Sequence, residues 1–238
     1  MKVIGLIGGM SWESTAEYYR IINETVKERL GGLHSAKILL YSVDFSEIAT
    51  LQTEGRWLEA TKFMCDAAQR LERGGADCVL ICTNTMHKMA AEVQSAVTIP
   101  LLHIADSTAI EVKKRGIKRI ALLGTKYTME EDFYKGRLVG DYGLDVFIPP
   151  EDGRTKVNRV IYEELCLGKV VEESRKQFQQ IIHELNTRGV EGVILGCTEI
   201  SLLINQEDSP LPLFDTTAIH ARAAVDFALA GGSQSLIG

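Results

Sequence analysis

The sequence predicts an α/β protein made of two similar lobes, each with a mainly parallel sheet flanked by helices. Short apolar runs of strand length alternate with longer amphipathic stretches along the whole chain. The runs are continuously apolar rather than alternating, which is typical of parallel strands covered on both faces. A pattern in the first half of the chain also recurs in the second half. With 238 residues, 45% of them hydrophobic, the chain is long enough to bury a core in each lobe.

The individual elements follow from these runs in chain order. Apolar runs predict strands at residues 3–7, 36–41, 78–82, 100–104, 119–123, 145–148, 193–196 and 212–214. Amphipathic stretches predict helices at residues 14–30, 56–73, 108–115, 128–139, 156–167, 172–187 and 218–229. Because nearly every strand is followed by a helix, the strands of each lobe are expected to run parallel.

An internal repeat divides the chain into the two lobes. Residues 79–83 align with residues 193–197 at an offset of 114, and the same offset pairs Asp77 with Glu191. Two further landmarks recur in the same order, at offsets of 116 (residues 4–8 and 120–124) and 112 (Pro100 and Pro212). The repeat predicts lobes of residues 1–104 plus 216–238 and of residues 105–215. A pseudo-twofold relation would place the active site in the interlobe cleft, beyond the carboxyl ends of the strands.

Composition excludes several classes of protein. The 26 basic and 32 acidic residues give a net charge of −6, which argues against nucleic acid or an anionic membrane as a partner. The apolar runs are too short to span a bilayer. Five cysteines at irregular spacing indicate neither a disulfide framework nor a metal site, so reduced thiols and a cytoplasmic location are expected.

Two strand ends carry the residues most suited to chemistry. Cys197 lies between an apolar strand and a helical turn, where a helix N-terminus is expected to lower the thiol pKa and make it a nucleophile or base. The alternative is an inert packed thiol, as expected for Cys65, Cys78 and Cys82. At the matching strand end, Thr83-Asn84-Thr85 offers hydroxyl and amide groups for a carboxylate, or simply a helix cap.

Two other features carry weaker signals. Gly8-Gly9-Met10-Ser11 follows the first strand without completing a dinucleotide-binding GxGxxG pattern, so it indicates either a tight strand-to-helix turn or close approach of a ligand. His87 and His220 are suited to acid–base work, but nothing in their spacing assigns them a role.

Together, Gly8-Gly9-Met10-Ser11, Asn84-Thr85-Met86-His87 and Gly196-Cys197-Thr198-Glu199 resemble the motifs of the aspartate/glutamate racemase family, in the same order along the chain. The resemblance implies two α/β lobes, an active site between them, a homodimer, a small amino-acid substrate and no cofactor or metal. It also implies a pair of cysteines on opposite faces of the substrate α-carbon. Substrate contacts are implied for six residues: Met10, Gln52, Asn84, Thr85, Thr198 and Glu199.

The chain departs from the family where the first catalytic cysteine is expected, because Thr83 stands there. Cys82 cannot replace it, since a shift of one residue along a strand turns the side chain to the other face. The catalytic pair therefore becomes Thr83 and Cys197. The resemblance implies that Cys197 deprotonates the L-isomer and that Thr83 or a water serves the opposite face. Because enantiomers have equal free energy, kcat/KM for inversion must be equal in both directions. A threonine hydroxyl is a poor base, so we expect slow inversion in both directions together with faster exchange of the α-proton at the Cys197 face.

The sequence leaves more than one substrate class open. The family's aspartate racemases carry basic residues after the second strand and on a later helix, whereas residues 48–52 and 162–166 contain none. L-Aspartate and L-glutamate are the first hypothesis, with neutral polar amino acids as an alternative. A second alternative is a one-cysteine decarboxylase or isomerase of malonate-type acids, and a third is a non-enzymatic small-molecule sensor.

Overall fold

Two parallel sheets organise the protein, whose structure is a computed structural model describing residues 1–230. The first sheet has the strand order β2-β1-β3 and the second the order β5-β4-β6-β7, and every pairing is parallel. The strands are β1 (Val3–Gly8), β2 (Lys37–Ser42), β3 (Cys78–Ile81), β4 (Arg119–Gly124), β5 (Asp145–Phe147), β6 (Gly192–Gly196) and β7 (Leu213–Asp215). The predicted parallel α/β fold is confirmed.

Helices connect successive strands. They are α1 (Trp12–Leu30), α2 (Phe45–Thr53), α3 (Trp57–Arg73), α4 (Ala90–Ser95), α5 (Ile104–Lys114), α6 (Lys126–Glu130), α7 (Asp132–Gly140), α8 (Glu151–Glu163), α9 (Glu172–Thr187), α10 (Ile200–Leu203) and α11 (Thr216–Leu229). Short 3₁₀ helices occupy Thr85–Met89, Leu165–Leu167 and Gln206–Asp208.

The chain divides into two compact units. The second unit comprises Ala105–Ile219, and the first comprises Met1–Ile104 together with the chain from His220 onward. The predicted lobe of residues 1–104 plus 216–238 ends beyond the described part of the chain, because residues 231–238 lie outside it.

Both faces of the first sheet are covered, as continuously apolar strands require. One face packs on α2, α3 and α4 through a cluster that includes Ile7, Met64 and Ile81. The other face packs on α1 and α11 through a cluster that includes Leu6 and Tyr18. The second unit has its own core, formed by β4 and β6 with α8, α9 and α10.

The internal repeat corresponds to repeated hydrogen bonds within each unit. The Asp77 N–H donates to the carbonyl of Val3 (2.8 Å), and the Glu191 N–H donates in the same way to Arg119 (2.8 Å). The side chain of each acid also accepts a main-chain N–H of the neighbouring strand: Asp77 from Val3 (2.6 Å) and Glu191 from Arg119 (2.8 Å). The offset seen in the sequence is therefore an offset between equivalent strand starts.

The strand predicted at residues 100–104 is wrong. This segment meets β3 only at Leu101, where Val79 bonds Pro100 and Leu102 (2.9 Å each), and Ile104 already begins α5. Pro100 has no N–H for a ladder, and the N–H of Ile104 donates to an imidazole instead (3.2 Å). In the second unit the corresponding segment forms the short strand β7, which pairs with β6.

Two helix predictions also need correction. The helix expected at residues 128–139 is broken into α6 and α7 by Glu131, whose extended backbone (ψ 156°) ends one helix and precedes the next. The helix expected at residues 156–167 starts earlier and ends at Glu163, followed by a 3₁₀ turn. The sequence gives no prediction for α2, α4 and α10, whose nine, six and four residues are too few for an amphipathic repeat to be recognised.

Candidate functional site

The turn after β1 is built from glycines that no other residue could replace without strain. Gly9 has a positive φ of 92°, and a Cβ there would lie 2.3 Å from the carbonyl oxygen of Val43. The Gly9 N–H donates to Thr15 Oγ1 (2.8 Å), and Ser11 caps α1 by accepting the N–H of Ser14 (3.3 Å). The interpretation as a tight strand-to-helix turn is confirmed.

Met10 and Gln52 lie in the same buried region of the first unit. Met10 belongs to the apolar cluster on the face of the sheet that packs on α2 and α3, and this cluster also contains Met86. Gln52, on α2, is buried and directs its amide nitrogen to the sulfur of Met86 (3.1 Å). The structure therefore brings both residues near the start of the 3₁₀ helix after β3, while a substrate contact for either one stays a prediction.

The segment Thr83-Asn84-Thr85 begins where the ladder of β3 ends. The Cys82 N–H makes the last strand bond, to Ile7 (2.9 Å). Thr83 follows as a half-buried bend, and Asn84 and Thr85 are buried. Asn84 does not cap the following helix through its side chain, so the capping interpretation fails there. The segment thus holds buried polar groups at the end of a strand, as a ligand site requires.

Cys197 is placed in the same way in the second unit. It is the first residue after β6, it is half-buried, and its thiol donates to Glu199 Oε2 (3.0 Å). The Thr198 hydroxyl donates to the same oxygen (2.7 Å). Glu199 is only 5% exposed, so one buried carboxylate oxygen accepts from both neighbouring side chains.

The pKa of Cys197 is shifted in the opposite direction to the one expected from the sequence. Burial, together with the charge of Glu199, raises the pKa of the thiol well above its ordinary value. The expected lowering by a helix N-terminus is wrong, because the helix that follows, α10, has only four residues, and both burial and the charge of Glu199 act in the opposite direction. Cys197 is therefore a thiol in the resting protein, with a proton acceptor already bonded to it.

The surroundings of Cys197 include two residues for which the sequence suggested no role. Tyr162 and Cys166, which lie at the end of α8 and in the 3₁₀ turn after it, pack on the same core as Cys197. Burial, and then the neighbouring Cys197, raises the pKa of the Tyr162 phenol. Only the apolar spacing of α8, which directs one face inward, signalled them in the sequence.

The repeat makes the two strand ends equivalent position by position. The offset of 114 pairs Thr83 with Cys197 and Thr85 with Glu199. The second unit thus has a thiol followed two residues later by a carboxylate, and the first unit has a hydroxyl at both positions. The two ends share their backbone placement and differ in acid–base strength.

Cys78 and Cys82 are both fully buried. Burial raises the pKa of Cys78 to about 12 and that of Cys82 further still, as expected for packed thiols.

Within residues 1–230, no group of three or more His, Cys, Asp or Glu side chains is arranged to hold a metal ion. In the same part of the chain no helix is both long and apolar enough to cross a membrane.

Comparisons with known proteins agree on one family. Residues 7–224 match the family model described as Asp/Glu/Hydantoin racemase. The broad specificity amino-acid racemase RacX of Bacillus subtilis is 25% identical over 96% of this chain and 99% of its own length.

Solved structures extend this likeness. A protein from Yersinia pestis, provisionally assigned as an Asp/Glu racemase, is 56% identical with a TM-score of 0.91, covering 96% of this chain and 100% of its own. An aspartate racemase homologue from Pyrococcus horikoshii OT3 is 37% identical with a TM-score of 0.83, covering 96% and 99%.

Proposed function

Because the chain belongs to the Asp/Glu/hydantoin racemase family, we propose that it is a cofactor-independent racemase acting on L-aspartate or L-glutamate. The observation that carries this proposal is the hydrogen bond from the Cys197 thiol to the buried carboxylate of Glu199. A general base within hydrogen-bond reach of a nucleophile is the arrangement that activates a thiol.

In the first step, the Cys197 proton passes to Glu199 Oε2 and the thiolate sulfur removes the α-proton of the L-isomer. The α-carbon then carries an electron pair, which the adjacent α-ammonium and carboxylate groups stabilise. The raised thiol pKa suits this order of events, because a thiolate formed only when substrate is bound is a stronger base than one that is stable in water.

The carbanion has two fates. If the thiol hydrogen exchanges with solvent before Cys197 returns a proton, the L-isomer is regenerated with an exchanged α-hydrogen, and Glu199 then gives its proton back to the sulfur. Delivery from Thr83 Oγ or a water instead gives the D-isomer. When the D-isomer forms, the proton held by Glu199 must pass through solvent to the Thr83 oxygen or the hydroxide that donated a proton to the substrate. Since a hydroxyl is a weaker acid than a thiol, delivery to the D face is the slower fate.

The asymmetry of the two strand ends supports slow inversion. Thr85 stands where the second unit has Glu199, so the first unit lacks a carboxylate at the position equivalent to the base. Exchange of the α-proton at the L face is therefore faster than inversion. Net inversion still has equal kcat/KM in both directions, because the two enantiomers have equal free energy.

The relatives suggest two candidate substrate classes. The relative from Yersinia pestis supports acidic amino acids, and the broad specificity of RacX supports a wider range of amino acids, of which the neutral polar ones are the second candidate. One local observation favours the neutral candidate. Arg56, the first basic residue after α2, is already paired with Glu54 (2.8 Å) and Glu59 (2.6 Å).

Chiral chromatography of the reaction products tests the proposal. Wild-type protein is incubated separately with each of the common L-amino acids, with malonate-type acids and maleate run alongside. Formation of the D-isomer from aspartate or glutamate, abolished in Cys197→Ser, supports the proposal. Turnover of only neutral amino acids supports the second candidate, and decarboxylation or cis–trans isomerisation without inversion refutes both.

A further inference from the structure

His87 has both ring nitrogens engaged by main-chain groups around the end of β3. Its Nδ1 lies 2.8 Å from the carbonyl oxygen of Thr83, and the Ile104 N–H donates to its Nε2 (3.2 Å). A carbonyl can only accept and an N–H can only donate. The neutral ring therefore carries its hydrogen on Nδ1, and its tautomer is set by these two partners.

The ring is held firmly in this position. His87 is 2% exposed and sits in the 3₁₀ helix Thr85–Met89. The imidazole of His103 packs against it with ring centroids 4.6 Å apart. A rotation of the His87 ring would break both hydrogen bonds at once, the buried one to Ile104 and the partly buried one to Thr83, and each costs free energy when left unmade.

The hydrogen bond between His87 and Thr83 lies just beyond the last hydrogen bond of the sheet at this strand. Cys82 makes the last ladder bond of β3, to Ile7 (2.9 Å). The carbonyl oxygen of Thr83, the next residue, is hydrogen-bonded to Nδ1 of His87, which lies four residues further along the chain. In the second unit the equivalent residue, Ser201, donates to Thr198 (3.0 Å) rather than to Cys197. The side-chain bond to the carbonyl of the strand-end residue is thus a feature of the first unit.

From this geometry we propose that His87 is a positioning residue for Thr83: by holding the carbonyl of Thr83 it fixes the main chain from which the Thr83 hydroxyl projects. The proposal rests on the proposed function, in which that hydroxyl serves the D face of the substrate. Proton transfer is sensitive to displacements of about an ångström. Loss of the His87–Thr83 bond therefore slows inversion without slowing exchange at Cys197.

Two substitutions separate this role from a general contribution to stability. In His87→Asn the amide nitrogen takes the place of Nδ1 and still donates to Thr83, but the acceptor for Ile104 is lost. In His87→Gln the amide oxygen takes the place of Nε2 and still accepts from Ile104, but the donor to Thr83 is lost. Because each variant loses one hydrogen bond of a ring that is itself buried, their melting temperatures should both fall, by amounts within about twofold of each other.

The readout is the ratio of D-isomer formed to α-deuterium incorporated into the L-isomer in D₂O. We expect His87→Gln to lower this ratio about tenfold and His87→Asn to keep it within about threefold of wild type. Equal ratios in the two variants, or a loss of exchange in parallel with inversion, would overturn the positioning role.

A measurement that needs no substrate gives independent evidence. Nitrogen-15 NMR of the imidazoles at pH 8 should show His87 as the Nδ1–H tautomer, whereas an Nε2–H tautomer or a cationic ring contradicts the proposal. A wild-type protein that neither exchanges nor inverts any amino acid refutes the proposed function and this role together. An active wild type with an unchanged ratio in His87→Gln refutes the role alone.

Discussion

Cys197 Sγ lies 3.0 Å from Oε2 of Glu199, a buried carboxylate two residues further along the chain. The contact has two consequences of opposite sign. Together with burial, which has the larger effect, the carboxylate raises the pKa of the thiol and so suppresses the free thiolate. In the proposed mechanism the same carboxylate accepts the thiol proton when substrate binds.

Replacing this carboxylate should therefore separate reactivity from catalysis. In Glu199→Gln the negative charge is gone, so the Cys197 pKa falls and alkylation by iodoacetamide at pH 7.5 becomes faster, by roughly tenfold. Inversion should fall at least about a hundredfold, because no base remains for the thiol proton. Peptide mass spectrometry measures the first effect and chiral chromatography the second. Slower alkylation together with lost turnover would instead indicate a collapsed site.

The pH dependence of alkylation in the wild-type protein provides a second test. Because burial and Glu199 raise the Cys197 pKa, the thiolate fraction stays small at neutral pH. The alkylation rate at Cys197 should increase by about tenfold per pH unit between pH 7 and 9 without levelling off. A plateau below pH 8 would show a thiolate that is already stable in the resting protein.

Substitution of Thr83 tests the D face. Thr83→Ala should lower inversion of the L-isomer while leaving α-proton exchange at Cys197 within about threefold of wild type. Thr83→Cys supplies a stronger acid and should raise inversion equally in both directions. If Thr83→Ala inverts as fast as wild type, the proton on that face comes from water and Thr83 has no catalytic role.

Stability at the turn after β1 depends on the absence of a side chain at Gly9. We expect Gly9→Ala to lower the free energy of unfolding by about 2 kcal/mol or more, since it combines a positive φ with contact on the carbonyl of Val43. Gly55→Ala is the control, because Gly55 has a positive φ of 69° in open space and should cost roughly 1 kcal/mol. Equal costs in urea denaturation would show that the Val43 contact is unimportant.

The carboxylate of Glu191, just before β6, should stabilise the protein only when it is ionised. Glu191 accepts the N–H groups of Lys118 (2.9 Å) and Arg119 (2.8 Å), and these bonds lower its pKa below the ordinary value. The folded pKa is thus below the unfolded one. The stabilisation is present above the unfolded value of about 4.3 and is lost as the pH falls through the folded pKa.

Glu191→Gln should therefore flatten the acid limb of the stability curve. We expect a smaller difference in unfolding free energy between about pH 6 and pH 3 than in wild type. The matched control is Glu28→Gln, at an exposed position on α1. A steeper acid limb in Glu191→Gln would contradict the assignment.

Much of the fold was readable from the sequence because the two units repeat the same buried pattern. Asp77 and Glu191 mark equivalent strand starts, and their spacing gave the offset that placed Thr83 opposite Cys197 in the alignment. The strand at residues 100–104 was mispredicted, since apolar content alone does not show that the N–H of Ile104 bonds a distant imidazole.

The chemistry of the site was harder to predict than its position. Motifs located Cys197, yet the sign of its pKa shift depends on the orientation of the Glu199 carboxylate and on the length of α10. The role inferred for His87 likewise depends on two main-chain partners, one of them 17 residues away. Such contacts form only when the chain is folded, and spacing in the sequence does not reveal them.

Proton NMR of the α-hydrogen of L-aspartate, and separately of D-aspartate, incubated with the enzyme in D₂O tests most directly whether Cys197 is the base. If it is, L-aspartate exchanges its α-hydrogen faster than D-aspartate does, and Cys197→Ser abolishes this exchange. Faster exchange of D-aspartate, or exchange of L-aspartate that survives in Cys197→Ser, would contradict Cys197 as the base.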